Sequence, residues 1–99
     1  LEITLRIDGQ EKTFVTDFVS ARMFRKTLEI GKQLDNGVTD PQDLDKVVDY
    51  VVDLFGKQFT RDNFYDGLPA NKLVSTVVSM ANGIISESNE KLGVDDPNS

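Results

Sequence analysis

Apolar positions alternate with polar ones at the start of the chain and then change period. Ile3, Leu5 and Ile7 alternate with Thr4, Arg6 and Asp8, the period of 2 that marks a strand with one apolar face. Asp8-Gly9 interrupts that run, and Lys12-Thr13-Phe14-Val15-Thr16-Asp17-Phe18-Val19 follows, rich in β-branched and aromatic residues. Two such runs around Asp-Gly predict a β-hairpin over about residues 2–18. A lone hairpin is marginal in water, so its apolar face must lie against helices.

After Ser20 the period becomes helical. Ser20 is a good N-cap, and Met23, Phe24, Thr27, Leu28, Ile30 and Leu34 recur at spacings of three and four, predicting a helix over 21–35. Asn36-Gly37 tolerates the left-handed backbone that ends many helices. Asp40-Pro41 opens a second helix, with the cap residue followed by proline at the first helical position. Its stripe of Leu44, Val47, Val48, Val51, Val52 and Phe55 ends at Gly56, and a helix of this length must share a core with its neighbours. Thr60 to Gly67 has the form of one capped helical turn. From Pro69 a last helix is expected to run to about Ser86, with two adjacent stripes: Leu73, Val77, Met80 and Ile84, and beside them Val74, Val78, Ala81 and Ile85. The fold class predicted is α+β: an N-terminal β-hairpin packed on three main α-helices near 21–35, 41–55 and 69–86, plus one short helical turn. With 99 residues there is room for a single domain, assigned to residues 1–86, followed by a polar C-terminal tail over 87–99 that is expected to be disordered.

Composition narrows the chemistry. The chain has no histidine and no cysteine, which removes the commonest general base, the commonest metal ligand and the best thiol nucleophile. The lack of cysteine also fits a reducing compartment. Seventeen acidic against eleven basic residues give a formal charge of −6, a sign that repels phosphate backbones and anionic membrane surfaces. No stretch approaches the roughly 18 apolar residues of a membrane span, and Leu1-Glu2-Ile3-Thr4 alternates rather than forming a signal peptide. The expectation is a protein that is not an enzyme, with no cofactor, no metal, no nucleic acid and no membrane among its partners.

The remaining features each have a plain alternative. Asp45, Asp49 and Asp53 fall at i, i+4 and i+8 on the second helix, so they form either an acidic ridge for a basic partner or cation, or an ordinary solvated face. Asp35-Asn36-Gly37-Val38-Thr39-Asp40 resembles a calcium loop only superficially, because no glutamate closes it. The seven glycines are scattered singly, which does not make a phosphate loop. Arg22, Arg25, Lys26 and Lys32 make the first helix basic, to pair with the second helix, with a charged partner, or simply with water. The double stripe of the last helix is wider than a surface helix of a small domain needs. It is either central and buried on both sides, or half of it serves another chain. On the second reading the partner-binding residues are Leu73, Val77, Met80 and Ile84, with Phe59, Phe64 and Tyr65 as the next candidates. The same face would also serve weak self-association.

The run Phe18-Val19-Ser20-Ala21-Arg22-Met23-Phe24-Arg25-Lys26-Thr27-Leu28-Glu29 resembles the N-terminal part of tail-assembly chaperones from long-tailed, siphovirus-type bacteriophages and prophages of Gram-positive bacteria. So do Asp43 to Gly56, Gln58-Phe59-Thr60 and Phe64-Tyr65-Asp66-Gly67-Leu68-Pro69, in the same order. The likeness runs from the hairpin to about Ile85 and consists of packing and capping patterns rather than a catalytic signature. It implies a non-enzymatic protein, made in the cytoplasm of the bacterial host, that binds the tape-measure protein and keeps it soluble. It also implies help in recruiting tail-tube subunits, and absence from the mature virion. A longer frameshifted form is common in that family, and residues 86–99 are where an extension would diverge. The family supplies no binding residues that can be transferred here. The competing class is a small acidic adaptor or regulatory protein-interaction module.

Overall fold

The chain opens with a hairpin whose geometry is set by two residues. In the computed structural model, which describes the backbone of residues 1–94 and the side chains of residues 1–87, β1 (Glu2–Ile7) and β2 (Gln10–Val15) pair antiparallel, with Ile3 opposite Phe14 and Ile7 opposite Gln10. Asp8 and Gly9 between them have φ of 54° and 78°. Two positive φ values in a two-residue loop define a type I′ turn, whose twist matches that of the strands. Ile3 and Leu5 of β1 are buried and Phe14 of β2 is half-buried, so one face of the hairpin joins the core.

Four helices follow: α1 (Ala21–Asn36), α2 (Pro41–Leu54), α3 (Arg61–Gly67) and α4 (Ala70–Val94). Their ends are chemical. The Ser20 hydroxyl accepts from Met23 N at 3.1 Å and the Asp40 carboxylate accepts from Gln42 N at 2.7 Å, while Pro41 occupies the first turn of α2. Thr60 and Asn63 form a reciprocal capping box at α3. α2 ends in a Schellman motif: Gly56 N donates to Asp53 O and Lys57 N to Val52 O, with Gly56 at φ 65°.

α2 is the centre of the core. Val47, Val48, Tyr50, Val51, Leu54 and Phe55 are all buried, and they meet Ile3 and Leu5 from the hairpin, Ile30 from α1, Phe59 and Phe64 around α3, and Val77, Met80 and Ile84 from α4. α1 packs on both α2 and α4, and α3 packs on α2 and β1. The hairpin is tied down by a chain of rings, with centroid separations of 4.9 Å for Phe14–Phe59, 5.6 Å for Phe55–Phe59 and 6.4 Å for Phe59–Phe64.

The α+β class and the order of elements match the sequence expectation. The strands stop at Val15, short of residue 18, and the one-turn element proves to be a seven-residue helix. The larger difference is at the end. α4 does not stop near residue 86 but continues to Val94, through most of the segment expected as a disordered tail. Adding residues to an existing helix costs far less than starting one, and Glu87, Glu90, Lys91 and Leu92 are all good helix formers with no proline before Pro97. Residues 95–99 of that expected tail lie outside the described residues.

Candidate functional site

Of the residues expected to bind a partner, most belong to the core. Val77 and Phe64 are fully buried, and Phe59, Met80 and Ile84 nearly so; Leu73 and Tyr65 are half-buried against them. The stripe Leu73, Val77, Met80 and Ile84 therefore faces inward, which corrects the expectation that it is the half left for another chain. The stripes are equally apolar in sequence. The inner one carries the longer side chains Leu, Met and Ile and joins the core, whereas its neighbour begins with Val74, 49% exposed.

That second stripe forms the surface of interest. Val78, Ala81, Asn82 and Ile85 of α4 face Leu28, Gly31, Lys32, Leu34 and Asp35 of α1 across an open groove. Leu28 is 46% exposed although the spacing placed it in the α1 stripe. The groove has open space above Gly31, where a Cβ would meet no atom within 4 Å. Lys32 and Asp35 supply a charged rim of both signs. An apolar floor with a polar rim can accept the ridge of a helix, with the rim fixing register more than affinity. Phe18 is the most exposed large apolar side chain among the described residues, at 79%, and borders a second hollow with Met23, Leu54 and Phe55.

The acidic face of α2 has an internal partner. Arg61 of α3 holds Asp49 in a two-pronged contact, with Nε to Oδ1 at 2.9 Å and Nη2 to Oδ2 at 2.7 Å, and its Nη1 lies 3.7 Å from Asp45 Oδ2. Tyr65 donates to Asp45 Oδ1 at 2.5 Å. The Arg61 hydrogen bond holds the Asp49 carboxyl below its ordinary value; slight burial opposes this, and the charges of Arg61 and Lys26 reinforce it. Burial first, and then the bond to Asp45, push the Tyr65 hydroxyl up to about 12. Two of the three ridge aspartates thus clamp α3 to α2, an arrangement that joins helices rather than one that activates a nucleophile. The basic residues of α1 do not supply the clamp; Arg25 instead pairs with Glu29 one turn along its own helix, at 2.8 Å.

The sequence held one signal for the groove. Phe24, Leu28, Gly31 and Asp35 run as a row beside the Met23, Thr27, Ile30 and Leu34 line, and a glycine next to a leucine in that row leaves a hollow. Phe18 carried no such signal, because it continues a β-rich run.

A family model described as phage tail chaperone protein matches residues 1–98. No curated protein and no solved structure gives a significant match.

Proposed function

The chain belongs to the phage tail chaperone family, and from that premise we propose that it binds the tape-measure protein during tail assembly and keeps it soluble. The observation that carries this reading is the groove between α1 and α4, an apolar trough open to solvent in a chain whose other large side chains are mostly buried. A tape-measure protein is long and helical, and its apolar stripes aggregate when uncovered. A helix laid along Leu28, Val78 and Ile85 would lose that exposed stripe to the groove, and mass action would then hold it in solution. Recruitment of tail-tube subunits, action in the host cytoplasm and release before the virion is complete belong to the same proposal.

Two substitutions test the groove directly. Leu28→Lys places a charge on its wall, where desolvation opposes binding, and Gly31→Leu fills its floor. Both sites have room, so the melting temperature should stay within a few degrees of the unchanged chain. Each should weaken co-purification with a co-expressed tape-measure protein at least tenfold and shift that protein to the insoluble fraction. Undiminished binding by both variants would remove the groove from the proposal.

A further inference from the structure

We propose that the outer edge of β2 is a pairing site for a second copy of this chain, joining two hairpins into one four-stranded sheet. The hydrogen-bond phase of the hairpin defines that edge. Thr16 N donates to Leu1 O at 2.8 Å. Antiparallel pairs alternate between bonded and non-bonded, so in the observed register Ile3/Phe14, Leu5/Lys12 and Ile7/Gln10 exchange the bonds. The backbone groups of Glu11, Thr13 and Val15 consequently point away from β1. The opposite edge of the sheet is covered: α3 packs on β1, and a Cβ at Gly67 would lie 2.8 Å from the Arg6 carbonyl oxygen. On the β2 side, among the described residues, the edge receives one hydrogen bond, from Gln58 Nε2 to Val15 O at 2.9 Å, at its end. Glu11 and Thr13 are exposed, as is Val15 at 55%.

The second copy is singled out by self-complementarity. Only registers that set outward residues against outward residues can form the ladder, which leaves Glu11, Lys12, Thr13 or Phe14 to meet its own counterpart on a two-fold axis. Centring on Glu11 or Lys12 sets like charges directly opposite, which is unfavourable. Centring on Phe14 shortens the overlap. Centring on Thr13 pairs Thr13 with Thr13, Glu11 with Val15 and Lys12 with Phe14, so no like charges face each other, and the outward groups of all three edge residues find partners once Gln58 Nε2 shares or gives up the Val15 oxygen. Lys12 would otherwise guard this edge; in this register it meets an aromatic ring instead. On the outer face, Thr4 Oγ1 and Thr13 Oγ1 already lie 2.8 Å apart, and the pairing extends them into a row of four threonines across the axis. Threonine pairs of this kind favour sheet association, and four strands are more stable than two.

A contact between two six-residue strands is small, so the dimer should be weak, with Kd on the order of 100 μM. Sedimentation equilibrium of the full chain up to about 1 mM reads it, and does so without the tape-measure protein, so the outcome is independent of the chaperone reading. Thr13→Lys sets two ammonium groups on the axis and should weaken the dimer at least tenfold, while loss of the exposed bond to Thr4 lowers the melting temperature by only a few degrees. Thr13→Glu should do the same, and an equimolar mixture of Thr13→Lys and Thr13→Glu should restore association. An unchanged chain that stays monomeric at 1 mM, a dimer indifferent to Thr13→Lys, or a mixture that fails to reassociate would each overturn the proposal.

Discussion

The Tyr50 hydroxyl lies 2.6 Å from Thr27 Oγ1 in the core, where Thr27 is fully buried and Tyr50 almost so. Thr27 spends its own proton on the Met23 carbonyl at 2.7 Å, so Tyr50 is the donor to Thr27. The two residues close a short polar chain that fixes α2 against α1. The two ends of that chain are not equivalent. Tyr50→Phe leaves Thr27 still bonded within its own helix and should cost about 1 kcal/mol. Thr27→Val leaves the Tyr50 hydroxyl buried without an acceptor and should cost more, about 2–3 kcal/mol. Urea unfolding of both variants checks the order, and equal losses would contradict this direction of donation.

Gly67 is needed for space rather than for a turn. Its Cβ would come within 2.8 Å of the Arg6 carbonyl oxygen and 3.0 Å of Leu5 Cβ, whereas a Cβ at Gly83 in α4 would meet no atom within 4 Å. Gly67→Ala should therefore destabilise by about 1–3 kcal/mol as α3 is pushed off β1. Gly83→Ala should stabilise by up to about 1 kcal/mol through helix propensity. Opposite shifts in melting temperature are the expected result.

The inward orientation of one α4 stripe is testable on stability alone. Ile84→Ala removes a side chain that is 7% exposed and should cost about 2–5 kcal/mol. Val74→Lys, at a site 49% exposed, should fall within about 0.5 kcal/mol of the unchanged chain. Comparable losses at the two sites would mean that α4 is rotated from this placement.

Stability should fall at high pH, and two tyrosines set the window. Tyr65 is pushed from its ordinary 10.0 up to about 12 by burial and by its bond to Asp45, and burial raises Tyr50 as well. A raised value favours the neutral hydroxyl in the folded state. The contribution is therefore complete below about pH 10, where the unfolded chain also keeps its proton, and is lost as pH rises toward 12. Denaturant midpoints followed by circular dichroism between about pH 9 and 11.5 should decline. Tyr65→Phe should flatten part of that decline, and an identical slope in the variant would locate the titration elsewhere.

Local chemistry was legible along the chain because it depends on neighbours in sequence. Asp8-Gly9, Ser20, Asp40-Pro41, Gly56 and Thr60 each specify a turn or cap through bonds no more than five residues long, and the structure forms all of them. The stripe of α2 was legible for the same reason, since period and burial coincide when a helix is surrounded. The family resemblance drawn from these patterns is met by the family match over residues 1–98. What the chain alone left open were choices between surfaces of equal local character. Two apolar rows on α4 satisfy the same periodicity, and only the placement of α1 and α2 sends Val77, Met80 and Ile84 inward and leaves Val74 outside. Asp45 and Asp49 look like a solvated ridge until Arg61 and Tyr65, twelve and twenty residues distant in sequence, come to meet them. Gly67 looks like a stop signal until β1 arrives beside it. In each case the deciding partner is far away along the chain, and no local pattern encodes which distant segments tertiary packing brings together.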